Sequence, residues 1–82
     1  MPSIVMLDTY QVEYTDTFGG EANYCWVDRK IVRARNLKHA FRIAKKAMRL
    51  NGFRGRTYNH GDTIEFRPYR MCTVLFVTWS DV

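Results

Sequence analysis

One stretch of this 82-residue chain repeats its apolar residues at helical spacing, and the segments on either side of it alternate like strands. Asn36 reads as a helix N-cap, residues 37–51 as the helix and Gly52 as the left-handed residue that ends it. At about 100° per residue, Leu37, Ala40, Phe41, Ala44, Ala47 and Met48 fall in one apolar arc. Ile43 and Leu50 lie just beyond its edge, and Lys38, Arg42, Lys45, Lys46 and Arg49 gather on the opposite side. A lone helix cannot bury its apolar face against itself, so the flanking strands must supply the second layer.

Those strands show the period-two mark of half-buried sheet. Residues 4–14 read as the first strand, with Tyr10, Val12 and Tyr14 alternating against Gln11 and Glu13. Residues 15–23, with adjacent Gly19 and Gly20, read as a loop. Residues 24–35 restart a strand, and Asp28-Arg29-Lys30 marks a bulge in it or its end. Residues 53–58 read as a short strand and Asn59-His60-Gly61-Asp62 as a turn. Residues 63–67 form another alternating strand, and Pro68 marks an edge or a break. Residues 71–79 are almost continuously apolar, the mark of the central and most buried strand. The expected fold is α+β: one domain over residues 1–82, a small antiparallel sheet of four to five strands in the order β-β-α-β-β-β, with one amphipathic helix packed on one face. The uncovered face, or a homodimer contact, must then account for some of the 12 aromatic residues.

Charge narrows the function classes. The net charge of +5 is unevenly spread. Residues 1–27 carry Asp8, Glu13, Asp16 and Glu21 with no Lys or Arg, and these acids are expected to cluster at one end of the molecule. Residues 28–56 carry eleven basic residues against Asp28 alone. That imbalance exceeds what solubility requires. Arg54 and Arg56, two apart, read as sharing one face of the strand after the helix. With the five helix cations they would make a stripe that tracks a phosphate backbone, and Tyr58 and Tyr69 would add stacking. The bland alternative is the solvated side of an amphipathic helix.

Other chemistries find little support. Cys25, His39, His60 and Cys72 are spaced more than ten residues apart, unlike the close pairs of structural zinc sites. The two cysteines read as buried free thiols and suit a reducing compartment. His39, at helix position N3, and His60, in a turn, read as capping or solvated histidines. No catalytic set, cofactor motif or nucleotide-binding glycine pattern is present in the sequence. No apolar run is long enough for a membrane span, and the N-terminus lacks the pattern of a secretory signal. Phe18, before Gly19-Gly20, is either an exposed anchor for a partner or folded back on the core, and the second reading is slightly favoured.

The segment Tyr14-Thr15-Asp16-Thr17-Phe18-Gly19-Gly20-Glu21-Ala22-Asn23-Tyr24-Cys25-Trp26-Val27 resembles one found in small bacteriophage and prophage accessory proteins. The closing Cys72-Thr73-Val74-Leu75-Phe76-Val77 is similar to their C-terminal strand. Together the two segments cover about a quarter of the chain. The resemblance implies a non-enzymatic protein of the host cytoplasm that inhibits or redirects a host protein or nucleoprotein complex, as anti-CRISPR proteins do. Many inhibitors of that class are acidic mimics of DNA, and this chain departs from them in its basic middle. The alternative is direct nucleic-acid binding. The residues expected to carry either role are Lys38, Arg42, Lys45, Lys46, Arg49, Arg54 and Arg56.

Overall fold

The computed structural model describes residues 7–80. In chain order the elements are β1 (Asp8–Phe18), β2 (Glu21–Ala34), α1 (Leu37–Ala47), β3 (Gly55–Asn59), β4 (Thr63–Pro68) and β5 (Thr73–Ser80). Over the described residues the fold is a small antiparallel five-stranded sheet with one helix. Across the sheet the strands run β2-β1-β5-β4-β3. Residues 4–6 of the expected first strand lie outside the described residues.

Register assigns the two faces of the sheet. Tyr10 pairs with Trp79, Val12 with Val77, Tyr14 with Leu75, Ile64 with Val77 and Phe66 with Leu75. Paired residues share a face and neighbours along a strand alternate, so these side chains line one side. On that side Tyr10, Val12, Phe66, Leu75 and Val77 join Ala40 and Ala44 of the helix in the buried core. The Phe41 ring meets Phe66 edge-on at 5.7 Å. The opposite face carries Thr9, Gln11, Glu13, Phe76, Thr78, Glu65 and Arg67 by the same alternation. The apolar run of β5 is thus divided between the two faces, and its last large residue, Trp79, is 45% exposed.

Local chemistry moved several boundaries. The expected loop at 15–23 is instead a tight turn at Gly19-Gly20, both at positive φ, joining two long strands. The register shift does not fall at Asp28-Arg29-Lys30, which pairs regularly with Tyr14, Glu13 and Val12. It falls where Thr15 pairs with Val27 and Thr17 with Ala22, leaving Asp16 opposite residues 23–26. Asp16 fills that bulge. Its Oδ1 accepts from the Cys25 N–H at 2.9 Å and the Trp26 N–H at 3.4 Å, and its Oδ2 from Asn23 Nδ2 at 3.0 Å. Thr15 Oγ1 donates to the Trp26 carbonyl at 2.6 Å. A carboxylate can satisfy several donors where a ladder cannot.

The helix ends four residues earlier than expected. Arg49, at φ 59°, takes the left-handed position that the sequence reading gave to Gly52. Leu50 N–H donates to the Lys45 carbonyl and Arg49 N–H to the Lys46 carbonyl, the two bonds of a Schellman motif. That reversal turns Leu50 into the core at 2% exposure, although it lay outside the apolar arc. Ala47, inside the arc, is exposed. Gly52, at φ 95°, serves the next turn, closed by Phe53 N–H to the Leu50 carbonyl. Two further expectations are corrected. Cys25 and Cys72 are both exposed, and Phe18 stands 79% exposed at the hairpin tip instead of folding inward.

The Asp16 carboxyl titrates below its ordinary value of 3.8, chiefly because Asn23 donates to it, against some desolvation and with help from the Trp26 and Cys25 amides. A depressed folded-state value means its contribution is present above the unfolded value and fades as pH falls through the folded one. Asp16→Asn is therefore expected to lower stability at pH 7, and the gap to wild type should close below about pH 3.8. Urea denaturation at the two pH values measures this. An equal gap at both would refute the role of the charge.

Candidate nucleic-acid interface

The cationic surface is built from the start of α1. Asn36 has extended backbone and its Oδ1 accepts the His39 N–H at 2.8 Å. His39 Nδ1 in turn accepts the Arg35 N–H at 3.2 Å. The pair acts as a reciprocal cap with histidine at N3 in the usual place of Glu or Gln. The cap keeps Arg35, Lys38 and Arg42 around the positive end of the helix dipole, and the first turn contains no acid to neutralise it.

Two open depressions run along this side. One, of about 450 Å³, is lined by Arg35, Asn36, Lys38, His39 and Arg42. The other, of about 260 Å³, is lined by Lys38, Phe41, Arg42, Lys45 and Asn51. Lys38 and Arg42 border both, and no carboxylate lines either. Among the described residues Arg29 pairs with Glu13 and Arg67 with Glu65, and His60 Nε2 lies 3.2 Å from Glu65 Oε1, so no carboxylate engages a helix cation. Lys38, Arg42 and Lys46 are all exposed on α1, and Arg49 is exposed just past its cap.

The seven residues expected to form one stripe are divided. Lys45 is half-buried, and its Nζ lies 4.7 Å from the Phe66 ring centre and 5.5 Å from that of Phe41. It covers the core with its stem and a cation–π contact instead of facing outward. Its spacing of four residues from Phe41 is the signal that identifies it. Arg54 precedes β3, so it does not form a strand pair with Arg56, and its carbonyl accepts the Tyr69 N–H at 2.9 Å. Arg56 pairs in register with Arg67, while its neighbour Thr57 pairs with Phe66. Arg56 therefore lies on the face away from the helix. Its guanidinium is held above its ordinary value by Tyr58 first and Tyr69 second. Tyr58 also stacks on His60 at 6.4 Å. The helix cations and Arg56 are on opposite sides of the sheet and cannot grip one straight backbone segment together.

Sequence reasoning left out Arg35, Asn36 and His39 from this surface. The cap supplied the clue: a side chain at N3 that bonds back to the chain draws the preceding residue onto the helix start. The acidic residues do not cluster either. Asp8 pairs with Ala34 at the base of the hairpin and Glu21 with Phe18 at its tip, with Glu13 and Asp16 strung between them. Among the described residues, no helix is long and apolar enough to cross a membrane. No protein-family model, curated protein or solved structure matches the chain.

Proposed function

We propose that this chain is a non-enzymatic binding module whose helix docks on the phosphate backbone of a nucleic acid. The observation that carries this reading is a helix face with Lys38, Arg42 and Lys46 exposed, joined by Arg35 at the cap, and with no acid among the residues lining its depressions. Such a surface binds by releasing counterions, so affinity must fall with salt. It needs no cofactor. Arg49 extends the surface at the helix end, whereas Lys45, Arg54 and Arg56 lie outside it.

The test is fluorescence anisotropy with a short labelled duplex at rising salt. About four phosphate contacts give a slope of log affinity against log salt of roughly −3 to −4. Combining Lys38→Glu, Arg42→Glu and Lys46→Glu should weaken binding at least about tenfold and bring the slope close to zero. Lys45→Glu is left out of that set because it would disturb the core. Absent or salt-independent binding by the wild type, or unchanged binding by the triple variant, would overturn the reading.

A second reading, inhibition of a host complex of the anti-CRISPR kind in the host cytoplasm, draws on the resemblance to phage accessory proteins. The observation in its favour is Phe18, an aromatic side chain presented at the end of a long hairpin. Capture of a host complex from lysate that survives nuclease treatment, and is lost on Phe18→Ala, supports it over the first. In a nucleoprotein complex the helix cations would meet guide RNA or target DNA.

A further inference from the structure

Strand β2 is an outer strand: it pairs with β1 along one side, and among the described residues no other strand of the sheet lies along its other side. Its regular part, from Val27 onward, pairs residue for residue with β1. An edge of this kind is a template for another chain, and alternating charge decides which chain it accepts.

A second copy adding antiparallel across a two-fold axis perpendicular to the sheet must place side chains of the same face opposite each other. The axis must then pass through a residue, and a handful of axes are possible. Through Asp28 the axis sets that carboxylate against its own copy and Trp26 against Lys30. Through Lys30 it sets two ammonium groups together and Val27 against Arg33. Through Ile31 it sets Arg29 against Arg33. Through Val27 it sets the Asp28 carboxylate against Trp26 and Lys30 against Tyr24. Through Arg29 the near neighbours match: Asp28 meets the partner's Lys30, Val27 the partner's Ile31 and Trp26 the partner's Val32, and each pair occurs twice. Arg29 meets its own copy on the axis, and its charge is already taken by Glu13, whose Oε2 lies 2.9 Å from Arg29 Nε. Ile31, 65% exposed, would be covered by this pairing.

We infer that the chain forms a two-fold dimer through β2, with Arg29 on the axis and Asp28–Lys30 ion pairs on either side. The sheet continues through ten strands, five from each copy. Because the axis is perpendicular to the sheet, both helices lie on the same side of it. The dimer stands independently of any nucleic-acid binding.

Sedimentation of the wild-type chain is expected to show a dimer at concentrations up to about 100 μM. Asp28→Lys alone and Lys30→Asp alone should each raise the dissociation constant at least about tenfold, because each sets like charges opposite each other twice. Combining them should restore association, since the opposite charges face again with their order exchanged. Circular dichroism checks that each variant is folded. In a second measurement Arg29→Cys, with Cys25→Ser and Cys72→Ser, should form an intermolecular disulfide on mild oxidation, because paired Cα atoms on the axis are about 4.5–5.5 Å apart. A monomer at every concentration, a dimer indifferent to the single reversals, failure of the double reversal to restore it, or no cross-link would overturn the assignment.

Discussion

Leu75→Ala is expected to destabilise the protein by about 3–5 kcal/mol. Leu75 is fully buried in the central strand, between Tyr14 on one side and Phe66 on the other. Its neighbours are held by two strand ladders and by Phe41 of the helix, so they cannot collapse into the space left by the lost methyl groups. A chain of this size has a thin core and a total stability of about 5–10 kcal/mol, so the change removes a large share of it. Thermal unfolding should shift down by roughly 12–40 °C. Phe18→Ala is the control: a 79% exposed side chain should change stability by no more than about 0.5 kcal/mol. A similar effect at both positions would show that the core does not lie between the helix and β5.

Gly55→Ala should also be severe, through a different cause. A Cβ at Gly55 would sit 2.7 Å from Pro68 Cα and 2.8 Å from the Arg67 carbonyl carbon. These are backbone atoms of the paired strand, so no side-chain rotation relieves the clash. Gly55 opposes Pro68 at the start of β3, and among the described residues β3 is held to the sheet only through β4. The strand must move away or lose its first pairs, at a cost of about 2–3 kcal/mol. Hydrogen exchange should then quicken in β3 and β4 while β1 and β2 keep their protection. Gly52→Ala meets a different obstacle, a positive φ with open space around it, and should cost about 1–2 kcal/mol. Wild-type exchange in β3 of the Gly55→Ala variant would rule out the steric explanation.

The small antiparallel sheet and its single helix were legible because both rest on periodicity, which is local. The alternation of Tyr10, Val12 and Tyr14 and the repeat from Leu37 to Ala44 survive in the structure as buried positions or positions packed against the core. The hairpin was less legible. A glycine pair within a polar stretch reads equally as a long loop or a tight turn, and the choice fell to a single carboxylate. Asp16 satisfies the donors that the extra residues of β2 would otherwise leave open, so the strand continues where a loop was expected.

The candidate site divided along the same line. Helical spacing placed Lys38, Arg42 and Lys46 on one side of α1, and all three are exposed there. It placed Lys45 with them, but the Phe41 ring one turn back and the Phe66 ring on another strand draw that ammonium inward, and only the first of these is local to the helix. Arg49 left the helix because the terminus closed on it rather than on Gly52. The cysteines are exposed because Cys25 lies in the Asp16 bulge and Cys72 just before β5, positions that composition does not distinguish from strand interiors.

By itself the sequence determined the fold class, the single helix and a strongly basic middle segment, since these depend on spacing and composition along one chain. The tertiary structure alone decided that Arg56 faces away from the helix cations. Side-chain direction in a sheet depends on register, and register is set by pairing between distant strands, here Arg56 with Arg67 and Phe66 with Leu75.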